Sequence, residues 1–359
     1  MKHHILLRAA VMALGTALTS PAVHAQAQSC SEPYAIEQRF PTTGTEETRW
    51  RLCWQVVRGN GLIISGAWFR PSPTAAWIKL VYDARLAELF VPYHGGSPRY
   101  YDVGYNFGWV PLDSIDCPAT TGGVVLGARQ VCKQVHDRGL AWKHDAQKRR
   151  GEELVLWSVL AAANYNYIIE WTFRDDGTMA GRVGATGIPA GTTTHMHGPV
   201  WRLDLDLNGA SGDQVTMMTH TESGALGVDT HTPIVTEGGF PWSATGFRSW
   251  ELTDATLRNA AGAQSAWHLM PQVTGTPMHQ EPFTQNVLWV THYRWNEFTA
   301  SALPTYVNGE SVRQQDVVLW YYGGLHHMVR GEDAQMTHVM WTGFSLMPFN
   351  VFGKTPLFP

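Results

Sequence analysis

His195-Met196-His197 is the first place in the chain where side chains of one chemical type are spaced to act together. In an extended strand, residues two apart project to the same face, so two imidazoles stand side by side and can grip one metal ion. Imidazole suits copper and zinc alike, so the pair does not choose between them. Just beyond it, Trp201, Leu203, Leu205 and Leu207 alternate with Arg202, Asp204 and Asp206. The alternation predicts a strand whose leucines face a core and whose aspartates share the other face. Such a carboxylate pair reads either as a solvated strand face or as oxygen ligands for a hard cation such as calcium or manganese. Spacing alone favours the solvated face. Further along, His326, His327 and His338 lie near Arg330, Glu332 and Asp333, a second source of imidazole from which a third ligand could come. Spacing does not say which of the three it would be.

The elements that must hold these groups read as strands. Segments 61–69, 77–83, 167–174, 200–207, 287–294 and 316–322 are rich in Val, Ile, Trp, Tyr and Thr and are separated by Gly, Pro and Asn clusters. Frequent turn signals between β-rich runs predict an all-β, antiparallel sandwich. Segment 84–90 (ARLAELF) fits a helical turn as well as a strand. No repeat or linker divides the chain, so residues 26–359 read as one domain. The 16 Trp, 12 Tyr and 13 Phe can fill a large core.

Residues 1–25 carry Lys2 and Arg8 before an apolar run and end on Val23-His24-Ala25, the pattern of a cleavable secretory signal peptide. Its removal would change the formal charge from −4 to 24 − 30, or −6. That balance argues against nucleic acid or an anionic membrane as partner. Cys30, Cys53, Cys117 and Cys132 are an even set suited to disulfides in a secreted or periplasmic chain. Proximity pairs Cys30 with Cys53 and Cys117 with Cys132, though four cysteines allow three connectivities. The loop closed by Cys117–Cys132 would contribute roughly 3 kcal/mol.

Several motifs taken together resemble the copper/topaquinone amine oxidases. Asn164-Tyr165-Asn166-Tyr167, followed by IIEWTFRDDGTMAGRVGATGI, is similar to that family's cofactor strand. His195 and His197 match its first two copper ligands. GGLHHMVRGED, at 323–333, resembles a motif whose third ligand stands three residues before an arginine, which selects His327. RYYDVGYNFGW, at 99–109, resembles the segment of the catalytic base, and TGFSLMPFNVFGKTPLFP, at 342–359, the C-terminal signature. Tyr93, in Val91-Pro92-Tyr93, matches a tyrosine that holds the cofactor oxygen. The Cys117 and Cys132 pair matches the family's disulfide.

The resemblance implies that copper and oxygen convert Tyr165 to topaquinone. A primary amine would then be oxidised to an aldehyde, with ammonia and hydrogen peroxide released. Asp102 becomes the general base, Tyr93 orients the cofactor, Asn164 shapes its pocket, and Tyr167 is a neighbour on the same strand face. Asp204, Asp206 and Asp316, with the Leu205 and Val317 carbonyls, become a peripheral calcium or manganese site. The chain departs from the pattern at Asn166, Ala161 and Tyr105. It resembles the catalytic domain alone, without the small N-terminal domains. The arms that embrace a second subunit are shortened, so both a homodimer and a monomer are open. A reading of a different class is an exported copper-binding carrier or partner-binding module with Tyr165 unmodified. A third keeps copper and quinone but oxidises a non-standard substrate.

Overall fold

A computed structural model describes Cys30 and residues 34–105, 108–223, 226–275 and 280–357. The signal-peptide segment 1–25 lies outside the described residues. Two eleven-stranded antiparallel sheets dominate. In the first, Ala35–Phe40, Thr48–Val57, Gly61–Arg70, Asp83–Pro92, His195–Asp204, Val317–Tyr322, Leu288–His292 and Gly238–Phe240 lie side by side in that order. Three short strands, Ile78–Val81, Arg99–Tyr101 and Leu325–His327, attach to it. The second sheet runs Leu226–Pro233, Asp213–Ser223, Gly246–Arg258, Gln264–Gln272, Met340–Phe349, Met179–Gly187, Tyr165–Arg174, Gln147–Ala162, Val131–His144 and Val124–Leu126. Trp109–Val110 pairs with Gln147–Ala162.

The core lies between the inner faces of the two sheets. Trp201, Leu203 and Ile64 come from the first sheet, and Trp171, Ile169 and Phe344 from the second; all are fully buried. Trp171 and Trp201 meet edge to face at 5.1 Å across the interface. Aromatic contact of that geometry adds to the burial that drives sheet packing.

Segment 84–90 is strand, part of Asp83–Pro92. Its apolar residues do not alternate because the strand is buried on both faces: Ala84, Leu86, Leu89 and Val91 join the main core, while Ala87 and Phe90 join a second cluster with Phe283 and Trp320. A strand covered on both sides loses the alternation that would identify it. Both proximity-paired disulfides form, Cys30–Cys53 and Cys117–Cys132, with Cα atoms 5.5 and 5.7 Å apart.

One strand organises the site. Along His195–Asp204, residues 198–204 pair with Asp83–Pro92, and residues 200–204 pair with Val317–Tyr322. Its first three residues pair with Leu325–His327, setting His195 directly opposite His327. Directly opposed residues of an antiparallel pair point to one face, and so do residues two apart. His195, His197 and His327 are therefore brought to one face by register alone.

Candidate metal centre

The three imidazoles converge: one ligand nitrogen from each lies within 4.8 Å of the others, and all three residues are at most 1% exposed. Each ring has its remaining nitrogen held by the protein. His195 Nδ1 bonds the Thr193 carbonyl at 3.0 Å, His197 Nδ1 lies 3.0 Å from the Tyr167 hydroxyl, and His327 Nε2 lies 3.4 Å from Asp333 Oδ2. These contacts fix the tautomers and turn His195 Nε2, His197 Nε2 and His327 Nδ1 inward. His197 Nε2 is buried without a hydrogen-bond partner. An orphaned buried nitrogen is costly unless a ligand completes it. Burial pushes His195 down to about 4 and lowers His197 and His327 as well, so the rings are neutral lone-pair donors at neutral pH. The donor set fits copper or zinc. Asp333 is set by Arg330, whose Nη2 and backbone N–H donate to it at 3.0 and 2.8 Å. That guanidinium holds its carboxyl well below the usual range.

Of the three downstream histidines, only His327 joins the cluster. His326, its neighbour along the strand, stacks on His94 with ring centres 5.5 Å apart. His338 bonds Arg330 Nη2 at 3.3 Å.

Tyr165 and Tyr167, two apart on Tyr165–Arg174, face the histidines from the second sheet. The Tyr165 hydroxyl lies 3.2 Å from both His195 Nε2 and His327 Nδ1, so the phenol reaches two of the inward nitrogens. Burial holds it well above its usual titration range. Asn164 is exposed, and its amide donates to the Ile188 carbonyl, closing the turn before Tyr165. Gly187 sits opposite Tyr165 at φ +152°; a Cβ there would come 2.3 Å from the Asn164 carbonyl oxygen. Asn166 is exposed and opposite Ala161, on the strand face turned away from the histidines.

Tyr93 stacks on His195 at 4.5 Å and 14°. Asp102 follows Arg99–Tyr101, and its Oδ2 accepts the Tyr167 hydroxyl at 2.7 Å. With that O–H committed, the phenol oxygen accepts from His197 Nδ1–H. Tyr167 thus links a metal ligand to a carboxylate. The sequence had it only as a neighbour of Tyr165; the available signal was its i, i+2 spacing, which predicts a shared face but not its partners. Burial raises Asp102 to about 7; the Tyr167 bond opposes this and the Glu88 charge adds to it.

A second cluster lies at the far end of the same strand. One oxygen each of Asp204, Asp206 and Asp316 falls within 4.8 Å of the others. Asp204 and Asp206 are buried, so the solvated-face reading that spacing favoured does not hold. Leu205 and Val317 beside them are fully buried. Lys79 pairs with Asp206, and Arg202 Nη1 lies 3.2 Å from Asp204. Among the described residues no hydrogen bond reaches either Asp204 carboxylate oxygen or Asp316 Oδ1.

The architecture and site define a β-sandwich with a buried tri-imidazole cluster suited to a metal ion and a tyrosine set against it. The family model described as copper amine oxidase, enzyme domain, matches residues 46–194 and 189–358, and this chain belongs to that family. A peroxisomal copper-containing amine oxidase, alpha 2, of Arabidopsis thaliana is 25% identical over 83% of this chain and 57% of its own length. The primary amine oxidase of Arthrobacter sp. (strain P1) is 26% identical over 77% of this chain and 54% of its own. The chain thus spans a little over half the length of these relatives. Among solved structures, a copper-containing benzylamine oxidase from Hansenula polymorpha superposes with a TM-score of 0.70 at 22% identity, covering 87% of this chain and 61% of that one. An Aspergillus nidulans amine oxidase gives 0.72 at 18%, covering 86% and 52%. At these identities the structural likeness is one of fold.

Proposed function

We propose that this protein is a copper-dependent amine oxidase, that Tyr165 is processed by copper and oxygen to topaquinone, and that the substrate is a primary amine. The observation that supports this most is the Tyr165 hydroxyl 3.2 Å from two inward nitrogens, where a bound metal could reach the phenol. The overall reaction balances as primary amine, dioxygen and water giving aldehyde, ammonia and hydrogen peroxide. Copper(II) on His195, His197 and His327, with a quinone made from Tyr165, would supply the electron sink and the route to oxygen.

The chain's own residues supply the rest. Asp102 Oδ2 is engaged by Tyr167, so Oδ1 takes the proton from the carbon bearing the amine. A carboxyl titrating near 7 is suited to that task. Tyr93, fixed by its stack on His195, orients the cofactor through its hydroxyl. Asn164 acts one step away, by fixing the turn from which Tyr165 starts. Asp204, Asp206 and Asp316, with the Leu205 and Val317 carbonyls, would hold a structural calcium or manganese ion. The two disulfides and the leader-like 1–25 segment support a secreted or periplasmic location.

The test is expression with copper and oxygen. Quinone absorbance and an oxidised mass on the Tyr165 peptide are the expected result. An unmodified tyrosine in fully copper-loaded protein would overturn the reading in favour of a copper-binding module.

A further inference from the structure

Glu88 is a buried carboxylate that the chemistry above does not use. It sits on Asp83–Pro92 next to a register shift: Val200 opposes Glu88 while Trp201 opposes Leu86, leaving Ala87 as the extra residue. A bulge of this kind re-aims the side chains around it. The side chain points to the stretch that follows Asp102. Its Oε1 accepts the backbone N–H of Val103 at 2.9 Å and of Gly104 at 3.2 Å, and also that of Leu89 at 2.9 Å. The Asp102 N–H in turn donates to the Leu89 carbonyl at 3.0 Å. A Cβ on Gly104 would lie 3.0 Å from Glu88 Oε2, so the chain approaches this closely because that residue is glycine. Glu88 is 6% exposed, and among the described residues no cation forms an ion pair with it. Burying a carboxylate without a counter-charge is costly, and three N–H donors on one oxygen are what offset it here.

We propose that Glu88 is a positioning residue for the amine-oxidising reaction: it clamps the turn at Val103-Gly104 and so fixes where the Asp102 carboxylate meets the substrate carbon. This rests on the reading of Asp102 as the base. Among the described residues the Asp102 side chain makes one hydrogen bond, to Tyr167, so its position depends on how its backbone is held.

The test compares Glu88→Ala and Glu88→Gln with the wild type, all copper-loaded and aerated. With a simple primary amine, Glu88→Ala should lose roughly tenfold to hundredfold in kcat with a much smaller change in KM. The deuterium isotope effect with the α-deuterated amine should rise, because proton abstraction becomes slower. Copper content and quinone yield should stay at wild-type levels. Glu88→Gln keeps an oxygen acceptor and should recover most of the loss. Hydrogen exchange at the Val103 and Gly104 amides should speed up in the alanine variant and not in the glutamine one. Unchanged turnover and isotope effect in Glu88→Ala overturn the proposal, as does a loss of copper or quinone in step with activity. If the wild type forms no quinone, the amine-oxidase reading has failed, and the exchange measurement alone decides: unaltered protection at 103–104 overturns the clamp, and selective loss in the alanine variant upholds it.

Discussion

Asp102 is held near neutrality by opposed influences, one of which a single substitution removes. Burial raises it to about 7 because the charged form loses its water, while the Tyr167 hydroxyl favours the charged form. In its proposed role as general base Asp102 works only when ionised, so kcat/KM should climb as pH rises through about 7 and flatten above it. Asp102→Asn should keep copper and quinone yet lose amine turnover by roughly 10²–10⁴-fold, read in steady-state rates against the quinone absorbance. Tyr167→Phe deletes the hydrogen bond that stabilises the carboxylate, worth about 1.5–3 kcal/mol for a charged group. The sign follows: the proton is held more tightly, and the rising limb moves to higher pH. A limb left in place would remove Tyr167 from any role in setting the base. At this scale sequence reading reached Tyr165, Asp102, Tyr93 and the three histidines because each sits in a motif. It did not reach the bonds that join them: Tyr167 finds Asp102 and His197 on segments far away in the chain, Glu88 reaches the turn beyond the next strand, and Asp333, though three and six residues from Arg330 and His327, is placed by a turn that carries no periodic signal.

The elements explain why so few residues suffice to build the centre. A single strand, His195–Asp204, supplies two imidazoles, receives the third from the strand opposite it, and ends in the first carboxylate of the second cluster. The alternation at 201–207 made this strand legible. The short Leu325–His327 strand was not, because three residues carry no periodicity and only pairing defines them. Facing it, the Tyr165 strand is held in place at Gly187, whose N–H donates to Thr337 Oγ1 at 3.0 Å and whose carbonyl accepts from Thr337 N–H at 2.8 Å. Gly187→Ala would drive a methyl group into the Asn164 carbonyl from a backbone conformation that only glycine adopts freely. The expected outcome is a loss of more than about 1 kcal/mol in denaturant stability together with a reduced quinone yield at full copper loading. Normal quinone yield would show that Tyr165 does not depend on this anchor.

At the scale of the whole molecule, the aspartate cluster sits at one of the links between the two sheets. Asp206 lies on the link between Asp204, which ends the first-sheet strand His195–Asp204, and the second-sheet strand that begins at Asp213, and Asp316 immediately precedes Val317–Tyr322. Three carboxylates there face two cations, Lys79 and Arg202, and the Asp204 oxygens lack hydrogen bonds. Uncompensated buried charge destabilises a fold, whereas a hard divalent ion with carboxylate and carbonyl ligands would offset it. Ligand that binds only the folded state stabilises by about 2.7 kcal/mol at one hundred times its dissociation constant, a rise of a few degrees in melting temperature for a chain of this size. Calcium added to chelator-treated, copper-reconstituted protein should therefore raise the melting temperature. Asp316→Asn should remove most of that rise while the copper content and the quinone are retained. The separation of the two effects is the informative part: the histidine cluster and the aspartate cluster lie at opposite ends of one strand, so a structural ion should change how long the protein survives heating and not the proposed chemistry. A melting temperature indifferent to calcium and manganese would leave Lys79 and Arg202 as the cluster's only counter-ions among the described residues.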